Sequence, residues 1–184
     1  MSRSRDLMTS LMVAAGVTAF VLVGCQDERE NASPVEPVQA DLAVSPQALL
    51  ARRLACPSGE ERSVRAEIGP NGGTVALGGH AVFFPPGAVR EPVQVTLSVP
   101  ASPHVELDVR VNGREHYRLA RPVLVTMSYD RCGVLFPAGG RKTVWYYDRS
   151  TERLLEEMPT LDNPATRSVS FVTNHFSGWV IITG

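Results

Sequence analysis

The chain has 184 residues, of which 43% are hydrophobic and 20% charged, with a formal net charge of −1. That length holds one ordinary domain and an appendage, and so balanced a charge argues against a dedicated nucleic-acid binder, which carries a clear basic excess. Gly 15 and Pro 14 are too few for disorder throughout but suit a turn-rich β protein, and three cysteines leave one thiol to place outside any pair.

Arg3 and Arg5 open the chain, and Leu7–Gly24 then runs for 18 positions without a charge. A short basic start followed by an apolar run forms the n-region and h-region of a secretory signal. The length alone would also suit a short membrane-spanning helix. The end of the run separates the two. Leu22-Val23-Gly24-Cys25 resembles the bacterial lipobox, in which a small residue precedes the modified cysteine. The resemblance implies diacylglycerol on the Cys25 thiol, cleavage between Gly24 and Cys25, and acylation of the new amino group. Charge begins directly afterwards at Asp27, Glu28, Arg29 and Glu30. The plain alternative is an uncleaved signal anchor with an incidental cysteine. Residue 26 is Gln rather than Asp, which by resemblance to enterobacterial sorting rules favours the outer membrane, facing the periplasm or the cell surface. Residues 1–24 are thus expected to be a lipoprotein signal peptide. The exported chain would sit at the cell envelope, held by acyl chains in which each buried CH₂ contributes about 0.8 kcal/mol.

Residues 25–62 are expected to be the lipidated cysteine and a flexible tether. Residues 26–46 carry Pro34, Pro37 and Pro46, several acids and few large apolar groups. Such a stretch cannot bury enough surface to offset its ordering entropy. Gln47–Ala55 could form a short helical turn with Leu49, Leu50 and Leu54 near one face, too short to be stable alone.

From residue 63 onward a two-residue period replaces the helical one. Val93, Val95, Leu97 and Val99 alternate with Gln94, Thr96 and Ser98, as a half-buried strand does. The same alternation predicts strands over Val123–Tyr129 and 168–172. Further strands are expected at Val64–Ile68, Thr74–Leu77, Ala81–Phe84, Val105–Val111, His116–Leu119, Thr143–Asp148, Leu154–Met158 and Gly178–Thr183. Gly/Pro/Asn turns separate them, and Asn112-Gly113 suits a type I′ hairpin. Many short strands with no βαβ alternation predict an all-β fold, an antiparallel β-sandwich over residues 63–184.

Four segments carry a resemblance. They are Ile68-Gly69-Pro70-Asn71-Gly72-Gly73-Thr74-Val75, Val82-Phe83-Phe84-Pro85-Pro86-Gly87-Ala88-Val89 with the strand Val93–Val99, Arg121-Pro122-Val123-Leu124-Val125, and His175-Phe176-Ser177-Gly178-Trp179. In this order they resemble the ZU-five domain, the β-sandwich named from zonula occludens and Unc-five proteins. The resemblance implies a non-enzymatic binding or assembly module. It transfers the fold rather than the ligand. The expected partners are the membrane, through the lipid anchor, and an unknown protein or cell-wall component, with no nucleic acid. No cofactor and no metal are expected.

Some family members resembling His175-Phe176-Ser177 cut themselves between Phe and Ser. The Ser177 hydroxyl would attack the preceding carbonyl in an N→O acyl shift assisted by His175, and water would then hydrolyse the ester. The alternative is that His175 and Ser177 only hydrogen-bond at the start of the last strand. A purely structural envelope protein is the third reading. His104, Glu106 and Asp108 alternate on one strand and could hold a cation, although a solvated polar strand face explains them more simply. Trp145 and Tyr147 should share one strand face with Tyr146 on the other, one face being core and the other a possible recognition patch. Cys56 and Cys132 remain after Cys25 is lipidated. Export places them where disulfides persist, so they either pair or stay as two separate thiols.

Overall fold

The computed structural model describes residues 45–133 and 140–184. Cys25, with the expected signal peptide and the start of the tether, lies outside them. The described chain begins with a short helix α1 (Pro46–Leu50). The strands are β1 (Arg62–Ile68), β2 (Gly73–Leu77), β3 (His80–Phe84), β4 (Val93–Val99), β5 (Glu106–Val111), β6 (Arg118–Ser128), β7 (Lys142–Asp148), β8 (Arg153–Met158), β9 (Thr160–Asn163), β10 (Ser168–His175) and β11 (Gly178–Thr183). They form two antiparallel sheets, ordered β1-β4-β5-β11-β7-β8 and β2-β3-β6-β10-β9. The fold is the antiparallel sandwich that the alternation predicts.

The alternation works because one side of each strand faces the other sheet. On β4, Val93, Val95, Leu97 and Val99 are buried while Gln94 is exposed. On β6, the buried Val123, Val125 and Met127 stand opposite Thr173, Phe171 and Val169 of β10. Aromatic rings fill the middle of the core. Trp179 meets Phe171 edge-on at 5.2 Å and Phe176 at 6.2 Å, and Phe176 lies 5.7 Å from Phe84. Such tilted and edge-on pairs add to the area they bury.

β6 differs from expectation. The sequence alone places separate strands at His116–Leu119 and Val123–Tyr129, with Pro122 between them. The structure makes one strand of Arg118–Ser128. Proline survives inside it because the ladders are interrupted there. Pairing with β3 stops at Leu124, and a register shift on β10 between Thr173 and His175 leaves residues 119–122 out of that ladder. No ladder hydrogen bond needs the missing Pro122 N–H. β9 was not anticipated. It is a short edge strand whose Thr160, Leu161, Asp162 and Asn163 carry little β pattern.

The tether expectation needs correcting over its second half. Ser45 caps α1 by accepting a hydrogen bond from Ala48 N at 3.2 Å. Leu49 and Leu50 pack on Tyr147, Val180 and Ile182, a small apolar cluster on the outer face of the six-stranded sheet. This packing holds a five-residue helix that would not persist alone. The chain then enters the fold. Leu54 N donates to Ile181 O at 2.8 Å, Val105 N to Leu54 O at 3.1 Å, and Cys56 N to Pro103 O at 2.7 Å. Leu54 and Cys56 are buried.

The four segments that carry the ZU-five resemblance meet in space. Gly87 N donates to Pro70 O at 2.7 Å, which locks the Pro-Pro-Gly turn onto the Gly69–Gly73 turn. Gly72 lies so close to Phe84 and Pro85 that it has no room for a Cβ. Arg121 lies against Gly87, and Ala120 N donates to Ala88 O at 2.9 Å. Phe176 N donates to Tyr117 O at 3.2 Å while its ring packs on Phe84.

Candidate functional site

Phe176 and Ser177 carry the chain from the five-stranded sheet to the six-stranded one. Phe176 is fully buried and Ser177 nearly so. Ser177 Oγ donates to Gly178 O at 3.5 Å, and Ser177 O accepts from Val109 N at 3.2 Å. Gly178 is needed here because a Cβ would stand 2.9 Å from the Tyr147 carbonyl oxygen. His175 turns elsewhere. Its Nε2 lies 3.7 Å from Glu156 Oε2, and its ring lies 5.6 Å from that of Tyr146. Thr173 fixes its backbone by donating to His175 O at 3.0 Å and accepting from His175 N at 3.3 Å. The two side chains named by the self-cleavage motif are thus held by different partners.

A groove of about 550 Å³ opens beside Ser177, where β11 begins between β5 and β7. Its charged side chains hold one another. Arg110 donates to Asp108 at 2.9 Å and to Glu115 at 2.5 Å. Arg149 pairs with Glu106, whose other oxygen accepts from Ser102 Oγ at 2.9 Å. Asp148 accepts from the Ser150 hydroxyl and from backbone N–H groups, and its carboxyl is held down at about 2, chiefly by the Ser150 and Thr151 side chains.

Of His104, Glu106 and Asp108, expected as a solvated face, His104 and Asp108 are partly exposed, and the reading needs correcting at Glu106. Glu106 is only 5% exposed and ion-paired. The aromatic trio divides as the strand period requires. Trp145 and Tyr147 join the cluster under α1, and Tyr146 packs against the main core. Arg53 ties down Tyr147, donating to its hydroxyl at 3.1 Å.

Cys56 and Cys132 form a disulfide, with Cα atoms 4.5 Å apart and 76 residues between them in sequence. Next to Cys132, Arg131 donates to the carbonyls of His104 at 2.6 Å and Ser102 at 3.3 Å. His80 at the start of β3 is 4% exposed, and burial with the positive Arg131 nearby lowers its pKa to about 4. The unfolded chain therefore binds the proton more readily than the folded one. Stability is expected to be unaffected by this group above pH 6.5 and to fall by about 3 kcal/mol between pH 6.5 and 4. Denaturant unfolding across that range, compared with His80→Leu, should show the loss in the parent and a flatter profile in the variant.

The feature that sequence reasoning missed is the outer face of the five-stranded sheet. Thr74, Phe83, Leu124 and Val172 stand in one cross-strand row over four strands. Ala76, Ala81, Thr126, Ser170 and Leu161 make the next row over all five. Neither row contains a charge. Phe83 is 47% exposed, Leu124 41%, Val172 56% and Leu161 72%. The signal was available as apolar residues at outward positions, in Val82-Phe83-Phe84, Val123-Leu124-Val125 and Phe171-Val172. No protein-family model and no curated protein matches the chain.

Proposed function

We propose that this chain is an exported lipoprotein of the cell envelope whose β-sandwich is a binding module, docking through the outer face of the five-stranded sheet. The observation that carries the reading is the register of Phe83, Leu124 and Val172, which places three exposed apolar side chains side by side in a cross-strand row that carries no charge. Contiguous apolar surface of this kind marks interaction sites. The lipobox-like Leu22-Val23-Gly24-Cys25 supports anchoring at Cys25. The Cys56–Cys132 disulfide supports an oxidising compartment. The ZU-five-like segments support a module that assembles with others rather than one that turns over a substrate. The internal pairing of the groove's charges favours the same view, since Arg110, Asp108, Arg149 and Glu106 already hold one another.

Leu124→Arg tests the docking face. The side chain is exposed, so folding stability should change by less than about 0.5 kcal/mol. The full chain, extracted from membranes in mild detergent, should run on a native gel as a complex larger than the protomer. The variant should run as the protomer. A parent that itself runs as the protomer contradicts the reading.

A further inference from the structure

We infer that the outer face of the five-stranded sheet, centred on its two charge-free rows, packs against the same face of a second copy of this chain. The inference rests on the binding-module reading and names its partner.

Charge is the first argument. A two-fold interface sets each patch against itself, so any charge near the axis meets its own sign. The outer face of the six-stranded sheet carries Arg65, Glu67, Asp108 and Arg110 and is poorly suited to self-pairing. The two rows centred on Leu124 and Thr126 carry no charge at all.

Hydrogen bonding is the second argument. The polar groups beside the apolar row are hydroxyls, and Thr126 Oγ1 and Ser170 Oγ already pair at 3.1 Å. A hydroxyl both donates and accepts. A hydroxyl-bearing surface can therefore satisfy itself across a two-fold axis, which a surface of donors alone cannot.

Area is the third. Five strands about 4.8 Å apart, with about five residues along each, make a face of roughly 24 by 17 Å. Covering it on both copies removes on the order of 1,000 Å² from water, the lower bound for a specific interface. Such a contact is weak in dilute solution. Anchoring both copies to one membrane raises their effective concentration and sustains it.

The test uses the full chain in its own membrane. Two copies bearing different affinity tags are expressed together, with photoreactive benzoylphenylalanine in place of Phe83. The probe at Val172 serves as a second position and the probe at the exposed Arg65 as the control. Irradiation should give an adduct of twice the mass of the mature, tagged chain that carries both tags. Leu124→Arg on both copies should reduce it at least tenfold. An adduct that carries one tag and a different mass overturns self-pairing and leaves the binding-module reading standing. No adduct beyond the Arg65 control, at either probe position, overturns self-pairing. If the native complex and its loss in Leu124→Arg persist in that case, the failure belongs to the choice of partner and not to the docking face.

Discussion

Gly72→Val should remove about 4 kcal/mol or more of folding stability, enough to leave the domain largely unfolded near physiological temperature. Two effects add. Gly72 has φ +77°, where a residue with a Cβ is strained, and valine more so because it is β-branched. A Cβ there would lie 2.2 Å from Phe84 O, 2.9 Å from Pro85 C and 3.0 Å from Pro86 N. All three are backbone atoms, and the turn they belong to is fastened by Gly87 N to Pro70 O. Nothing flexible can move aside. Gly113 gives the comparison. It has a similar φ of +75° with nothing within 4 Å of a Cβ. Gly113→Ala should cost only about 1 kcal/mol, the strain alone. Equilibrium unfolding of both variants in denaturant measures the difference. Equal losses would mean that the interlocked turns exert no steric demand.

Removing the disulfide should cost about 4 kcal/mol. Cross-linking residues 76 apart withdraws loop-closure entropy from the unfolded chain, and this loop falls between the short and long cases of that relation. The bridge also pins the Leu54–Cys56 segment, which leans on β11 and Val105 through two hydrogen bonds. Cys56→Ala with Cys132→Ala should lower the melting temperature by on the order of 10 °C. Reductant should bring the parent to the same value. A parent whose melting temperature ignores reductant would contradict the bridge.

Much of the sandwich is legible in the sequence because strand faces alternate. Val93 to Val99 on β4 shows it most clearly, with inward residues buried and Gln94 exposed between them. What failed has local physical causes. His116–Leu119 and Val123–Tyr129 read as two strands, yet the backbone continues through Pro122 because both neighbouring ladders are interrupted there. The stretch up to residue 62 reads as tether because the helical turn that places Leu49, Leu50 and Leu54 near one face is too short to be stable alone. Their burial comes from partners far along the chain, Ile181 and Val105 for Leu54, and Val180 and Ile182 for Leu49 and Leu50.

The candidate site was less legible still. Phe83, Leu124 and Val172 lie 41 and 48 residues apart, and only the β3-β6-β10 register sets them side by side. Glu106 read as solvated because its partner Arg149 lies 43 residues away and its burial depends on the sheet around it. The disulfide was open between two readings until the fold brought β6's end to the Cys56 segment. The segments around Gly72, Pro86, Arg121 and Phe176 converge.

The central claim, a lipid-anchored binding module at the envelope, is tested most directly by the intact mass of the protein extracted from membranes. The account predicts a chain that begins at Cys25, runs through Gly184, and carries the added mass of a diacylglyceryl group and an amide-linked acyl chain. An unmodified chain still bearing residues 1–24, or one whose mature N-terminus lies at a residue other than Cys25, would contradict it.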